Sequence, residues 1–132
     1  MKDLPGNDLI ELCARAAHEM NRAWCIFIGD SSQKPWDDAP DWQKVSCRDG
    51  VLGVLEGNTP AQSHENWLRH KLANGWVYGP TKNEADKTHP AMMPYGDLPT
   101  EQKIKDQVYR DAVLTMSKAY GNAARAADGG AQ

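Results

Sequence analysis

Apolar residues recur at three- and four-residue steps in four stretches of the chain, a pattern typical of amphipathic α-helices. The first helix is predicted over about 8–28, with Asn7 or Asp8 able to cap its start and Gly29 ending it. Its apolar stripe consists of Leu9, Leu12, Cys13, Ala16, Met20, Trp24 and Phe27. Its last turn is apolar on all sides, which predicts that this end of the helix is deeply buried.

The second helix follows a loop at 30–40 that is rich in Pro and Asp. Asp41 can cap its start, and Gly57-Asn58 is predicted to end it. Asp49-Gly50 interrupts its periodic pattern. The residues predicted to face the core are Trp42, Val45, Leu52 and Leu55.

Capping signals mark the start of the third helix, and a longer apolar stripe marks the fourth. Thr59-Pro60-Ala61-Gln62 combines a capping box with Pro at the first helical position, which predicts a helix over 60–74. The fourth helix is predicted over 100–120, ending at Gly121. The segment 122–132, rich in Ala and Gly, is predicted to be a flexible tail.

Between the third and fourth helices the periodicity changes. Trp76-Val77-Tyr78 has strand character and is cut by Gly79-Pro80. Pro residues hold the following segment extended, at Pro90, Pro94 and Pro99. The sequence therefore predicts a mainly α, compact single domain over 1–121, with about four helices and short β segments around 75–95.

Composition and charge narrow the class of protein. The net charge is −3 and the basic residues are scattered, whereas nucleic-acid binders usually carry a basic excess or stripe, so no nucleic-acid partner is expected. Three Cys without short spacings indicate reduced thiols and a cytoplasmic location. No apolar run approaches the roughly 18 residues of a membrane span, and the N-terminus lacks the apolar region of a signal peptide.

Catalytic and metal-binding motifs do not emerge from the sequence. Zinc sites need Cys or His at short ligand spacings, whereas His64 and His70 are six residues apart. A spatial Cys–His pair stays open, but Cys13 and Cys25 lie on or beside an apolar stripe, where a thiol behaves as a small hydrophobe. Asp37-Asp38 is the pattern of a solvated or capping pair of acids. No catalytic residue, metal ligand or cofactor is predicted.

One constellation of aromatic and basic residues has two interpretations. Its aromatic members, which can line a flat slot, are Trp67, Trp76, Tyr78 and Tyr95. Its basic members, which can meet negative charge at the mouth of that slot, are Lys71, Lys82, Lys87 and His89. The simpler interpretation places the Trp residues in the core and the Lys residues in a solvated loop.

The same residues resemble those of the RyR domain, the repeat named after ryanodine receptors, which also occurs as small free-standing proteins in prokaryotes and their viruses. The resemblance is strongest over about 60–115. It rests on an ordered series of motifs: His64-Glu65-Asn66-Trp67, Gly75-Trp76-Val77-Tyr78-Gly79-Pro80, Lys87-Thr88-His89-Pro90, Pro94-Tyr95 and Leu98-Pro99. The segment from Ala17 to Trp42 resembles the upstream part of the free-standing members.

The resemblance implies a compact helical domain and a role in binding a nucleotide. Receptor repeats occur in pairs around a pseudo-two-fold axis. The resemblance therefore implies that the similar segments Ala17-His18-Glu19 and Ser63-His64-Glu65 are equivalent parts of such a pair. By analogy with the receptors, Trp67 would stack on the ligand and Lys82 would lie near its phosphate. A second stacking ring would come from Trp24, Trp36 or Trp42, and Trp36 is preferred because of its loop setting.

Two main hypotheses follow for the function. A third, an enzyme that acts on the same ligand, is not supported by any catalytic motif in the sequence. The first is a non-enzymatic domain that senses or sequesters a nucleotide or nucleotide-derived messenger. The second is a protein–protein interaction or assembly module, which leaves a homo-oligomer open. The residues predicted to bind the small ligand are Trp67, Lys82, Trp36, Trp76, Tyr78, Arg69, Lys87, His89 and Tyr95.

Overall fold

The structure is a computed structural model that describes residues 6–129, and helices make up most of it. The described residues form four α-helices: α1 (Gly6–Phe27), α2 (Asp41–Leu55), α3 (Pro60–Ala73) and α4 (Thr100–Gly129). The mainly helical single-domain fold predicted from the sequence is confirmed. The predicted capping box is confirmed too, because Thr59 and Gln62 exchange side-chain-to-backbone hydrogen bonds at the start of α3.

Two very short strands lie between α3 and α4. These are β1 (Val77–Tyr78) and β2 (Thr88–His89), which pair in parallel. The sequence predicted Trp76-Val77-Tyr78 as an extended segment among short β segments around 75–95, and it assigned no particular residues to the partner strand. Two single 3-10 turns, Trp36–Asp38 and Tyr95–Asp97, precede α2 and α4.

The hydrophobic core lies where α1, α2 and α4 meet. α1 makes its most extensive contacts with α4 and also packs against α2. Small side chains bring the helices close together, since alanines are buried on both α1 and α4. The buried cluster consists of Cys13, Ala14, Ala17, Trp36, Val51, Val54, Ala112 and Val113.

The first 3-10 turn is tied to α1 by a His-Glu pair. The His18 Nε2–H donates a hydrogen bond to the Lys34 carbonyl at 2.7 Å. The backbone N–H of Trp36 donates to Glu19 Oε1, also at 2.7 Å. Trp36 is thereby held in the core, where its ring contacts His18 edge-on at 5.6 Å.

The second 3-10 turn is tied to α3 in the same way. The His64 Nε2–H donates to the Met93 carbonyl at 2.8 Å, and the Tyr95 N–H donates to Glu65 Oε1 at 3.0 Å. The similarity between the two His-Glu segments is therefore a repeated construction of helix, 3-10 turn and helix. The spacing from His to carbonyl is 16 residues in the first copy and 29 in the second, which has room for β1 and β2.

Three details of the helices differ from the sequence-based expectation. The end of α1 is not deeply buried: Cys25 is, but Ile26 is half-exposed and Phe27 is 78% exposed. This prediction was wrong because α4 covers a single side of that turn, whereas the apolar residues surround it. The predicted end at Gly121 was also wrong, because α4 continues to Gly129. Flexibility of the segment 122–132 stays a prediction, and 130–132 lie outside the described residues.

The third difference is the core-facing side of α2. The predicted stripe is exposed, with Trp42 and Val45 both 52% accessible, whereas Val51 and Val54 are buried. The reason lies at Gly50, where a Cβ atom would be 2.7 Å from the Tyr109 hydroxyl. The glycine that interrupts the helical pattern admits Tyr109 of α4, and this contact sets the rotation of α2.

A candidate ligand-binding cavity

A cavity of about 440 Å³ is bordered by side chains from all four helices and from the segment between α3 and α4. Its volume falls within the range of small-molecule sites, about 300–1,000 Å³. All four histidines of the chain line it: His18, His64, His70 and His89. Three of the five tryptophans do as well: Trp42, Trp67 and Trp76.

The walls of the cavity carry both signs of charge. The lysines that line it are Lys71, Lys82 and Lys105. The acids that line it are Asp49, Glu84 and Asp106. Because no lysine forms an ion pair among the described side chains, the ammonium groups are not neutralised by direct contact with these acids.

Lys71 of α3 lies between two indole rings. Its Nζ is 4.6 Å from the centroid of the Trp42 ring and 4.2 Å from that of Trp76. Burial lowers the pKa of this ammonium, and the charge of Lys82 lowers it further. The two π faces attract the cation, and the remaining N–H of the three on this ammonium can be donated to an anion.

Trp67 of α3 packs among imidazole rings. It stacks on His64 with the ring centroids 5.4 Å apart, and its edge contacts His89 at 4.9 Å. His64 and Trp67 are three residues apart, so the helix places them on one face. The half-buried indole keeps part of its surface on the cavity.

His89 of β2 is an uncharged imidazole with a fixed tautomer. Its Nδ1 accepts a hydrogen bond from the Ala91 N–H at 3.0 Å, so the ring proton is on Nε2. Burial, together with the positive charges of Lys82, Lys105 and Lys71, lowers the pKa of His89 to about 3. The same positive field that disfavours imidazolium favours an anion in the cavity.

Asp106 of α4 is the acid in the most unfavourable position for ionisation. Burial raises the pKa of its carboxyl to about 7, although the charge of Lys105 opposes this. Its Oδ2 lies 3.6 Å from His64 Nδ1. Because His64 Nε2 carries the proton that is donated to Met93, a neutral His64 presents an unprotonated Nδ1 to this carboxyl.

Close packing of β1 against β2 positions Lys82 and His89. A Cβ atom on Gly79 would lie 2.6 Å from Thr88 Cβ, so only glycine fits at this crossing. Thr88 Oγ1 donates to the Thr81 carbonyl at 2.9 Å and holds the intervening loop. The loop carries Lys82 towards the first half of the chain, where its Nζ donates to Ser32 Oγ at 3.1 Å.

Two buried polar atoms at the cavity wall have no hydrogen-bond partner among the described residues. These are Asn21 Oδ1 of α1 and Ser63 Oγ of α3. Buried polar groups are nearly always paired, with protein, water or ligand. Both groups therefore lack a hydrogen-bond partner that the described residues could supply.

A family model described as the RyR domain matches residues 41–124, more than half of the chain. The chain belongs to the RyR domain family. The match begins at the first residue of α2. The family model therefore does not cover α1 or the first 3-10 turn. Among the helices of residues 6–129, none is long and apolar enough to cross a membrane. The same residues contain no group of three His, Cys, Asp or Glu side chains that could hold a metal ion.

Four of the predicted ligand-binding residues line the cavity of this RyR domain: Trp67, Lys82, Trp76 and His89. Five lie outside it. Trp36, the preferred second stacking ring, is 2% exposed in the core, because Glu19 and His18 draw its turn onto α1. Tyr95 lies beside His64 and binds Glu65 through its backbone.

The other three outlying residues are on the surface of the RyR domain. Tyr78 is exposed on β1 and so is its neighbour Val77, so neither face of this two-residue strand is covered. Arg69 is exposed on α3 and donates a hydrogen bond to Asn66 Oδ1. Lys87 donates to the Asn74 carbonyl at 2.9 Å and so closes the end of α3.

Sequence reasoning missed several residues of the cavity, chiefly Asn21, Ser63, Lys105 and Asp106. Asn21 could have been found, because it follows His18 by three residues as Trp67 follows His64. Lys105 and Asp106 lie in an ordinary helical pattern with no motif around them. Only the packing of α4 against α3 brings them to the site.

Proposed function

We propose that this RyR domain binds a small, planar, anionic ligand of the nucleotide type in the cavity and does not transform it. The observation that carries the proposal is Lys71, whose ammonium lies between two indoles at the cavity wall without a carboxylate partner among the described residues. Lys82 and Lys105 stand at the same wall. A phosphate here would meet ammonium groups that form no ion pair among the described side chains.

The aromatic lining supports a planar ligand. Stacking of a base on an aromatic side chain contributes about 1–3 kcal/mol. Trp67 offers the indole surface predicted for this role, and Trp42 is a better second ring than Trp36, because it lines the cavity. The neutral His89 adds an Nε2–H donor beside Trp67.

The state of the polar groups favours binding over catalysis. Cys47 is the thiol that lines the cavity, and burial raises its pKa to about 11, so little thiolate forms at neutral pH. His89 is a poor general acid at neutral pH, because its pKa of about 3 leaves the imidazole uncharged. The free thiols fit a reducing compartment, so a cytoplasmic location stays our prediction.

Thermal unfolding against a panel of nucleotides and cyclic nucleotides tests the proposal. A ligand at 100 times its dissociation constant stabilises the folded state by about 2.7 kcal/mol, which gives a measurable rise in Tm. Lys71→Gln and Lys82→Gln are expected to reduce that rise by weakening phosphate binding. Lys118→Gln is the matched control, because Lys118 is exposed on α4 and away from the cavity.

The stacking role of Trp67 has its own variant. Trp67→Leu is expected to abolish the ligand-induced rise in Tm while the empty protein still unfolds cooperatively. Trp24→Leu, outside the cavity, controls for the loss of an indole. A Trp67→Leu protein that binds normally would exclude stacking on this ring, and turnover of a bound nucleotide would contradict the binding-only role.

An interaction module is the second candidate, because large apolar side chains are exposed outside the cavity. They include Ile26, Phe27, Val45, Leu52 and Leu72. Exposed apolar clusters mark interfaces more often than isolated residues do. If no nucleotide raises the Tm, a concentration-dependent mass by light scattering would favour this candidate, and a constant monomer mass would count against a homo-oligomer.

A further inference from the structure

Two polar atoms without a hydrogen-bond partner bear on how the uncharged part of the ligand is recognised. Asn21 Oδ1 and Ser63 Oγ are buried, yet neither has a hydrogen-bond partner among the described residues. The two residues come from different helices, α1 and α3, and both line the same cavity. Leaving such groups unpaired is unfavourable, so a water molecule or a ligand atom completes them.

The internal repeat gives Asn21 a special position. His18 and His64 make equivalent hydrogen bonds in the two halves, as do Glu19 and Glu65. Three residues after the histidine, the second half has Trp67 and the first half has Asn21. The two halves therefore contribute an indole and an amide to one cavity, rather than two matching rings.

We propose that Asn21, assisted by Ser63, determines the specificity of the cavity by accepting a hydrogen bond from the ring system of the ligand. The inference rests on the proposed function and names the feature that the ligand must carry. That feature is an N–H donor, such as an exocyclic amino group, on the edge of the planar ring. The ring is held by its contact with the Trp67 face and by this hydrogen bond at its edge.

Discrimination follows from the cost of an unpaired acceptor. A ligand without the amino group leaves Asn21 Oδ1 without a hydrogen-bond donor. Sites that hydrogen-bond a ligand group reject the analogue that lacks it much more strongly than apolar pockets reject a missing methyl group. For one such contact, the expected loss of affinity is about 10- to 100-fold.

Matched ligands that differ by one amino group test the inference in the wild-type protein. The pairs are adenosine and purine riboside 5′-monophosphates, and guanosine and inosine 5′-monophosphates, with Kd measured by calorimetry. In at least one pair the amino-bearing member should bind about tenfold more tightly or better. Equal affinities within both pairs would overturn the inference and leave the proposed function standing. If no nucleotide binds at all, the proposed function fails, and this inference fails with it.

Asn21→Leu separates a specificity role from a structural one. Leu has a similar size and no polar atom, so the Tm of the empty protein should not fall. The preference for the amino-bearing ligand should disappear, and Ser63→Ala should reduce it. Asn122→Leu is the control, because Asn122 is exposed on α4 and away from the cavity. A preserved preference in the Asn21→Leu protein would overturn the assignment of Asn21. If the Asn21→Leu protein does not fold, the comparison of matched ligands in the wild-type protein still tests the inference.

Discussion

At the scale of single residues, Asp106 shows how burial changes the chemistry of a common side chain. Its carboxyl lines the cavity, and burial raises its pKa to about 7, while an unfolded chain ionises near 3.8. Between these two values the folded protein binds more protons than the unfolded chain. The stability that this group contributes is therefore full below the lower value and is lost as the pH rises through 7.

Asp106→Asn is expected to stabilise the protein at pH 8 and to have little effect near pH 4. The amide removes the cost of a buried charge, and with 21% of the side chain exposed the gain is on the order of 2 kcal/mol. Urea unfolding of both proteins at the two pH values measures it. An equal gain at pH 4 and pH 8 would show that the effect comes from packing and not from ionisation.

Residue-scale features of the site were only partly predictable. Trp67, Trp76, Lys82 and His89 stood out because motifs surrounded them, and they meet at the cavity. Trp36 stood out because of its setting in a loop, yet it lies in the core. A tryptophan in a Pro-bounded loop has the same local sequence whether it lies in the core or at a binding site. The local sequence does not show that the carboxylate of Glu19 accepts a hydrogen bond from the backbone N–H of Trp36.

At the scale of elements, the contact between β1 and β2 supports two functional side chains. Each strand has two residues, so their pairing depends on how closely the backbones approach. Gly79 permits this approach, because its place beside Thr88 has no room for a Cβ atom. Lys82 and His89 lie on the connecting loop and on β2, so the geometry of this crossing decides where they point.

Gly79→Ala is expected to destabilise the protein by about 1–3 kcal/mol, because the new methyl group overpacks the crossing. The same change should weaken ligand binding by shifting Lys82 and His89. Gly96→Ala is the control, since a Cβ atom there meets nothing within 4 Å. Urea unfolding and the ligand-induced shift in Tm measure both effects, and equal results for the two variants would refute the crossing argument.

At the scale of the whole molecule, the family match and the folding unit do not coincide. The match covers residues 41–124, whereas the core cluster takes four of its members from earlier in the chain: Cys13, Ala14, Ala17 and Trp36. α1 also makes its most extensive contacts with α4, which lies at the other end of the described chain. A protein cut at residue 41 would expose the buried faces of α2 and α4.

A fragment that starts at residue 41 is therefore expected to lack a cooperative unfolding transition and to bind a hydrophobic dye. The full chain should show a single cooperative transition under the same conditions. Circular dichroism during a thermal scan distinguishes the two behaviours. A fragment that unfolds as cooperatively as the full chain would show that α1 is an accessory element and not part of the core.

The sequence by itself determined the mainly helical fold, the start of α3, the membership of the RyR domain family and four of the cavity residues. Each of these depends on neighbours along the chain: apolar periodicity, the capping box of Thr59 and Gln62, or a motif around one side chain. Tertiary structure alone decided which face of α2 is buried, that Phe27 is exposed, and that Asn21, Ser63 and Asp106 share a cavity with Trp67. These features depend on contacts between residues far apart in the chain, such as Gly50 with Tyr109. A local sequence pattern does not predict such contacts.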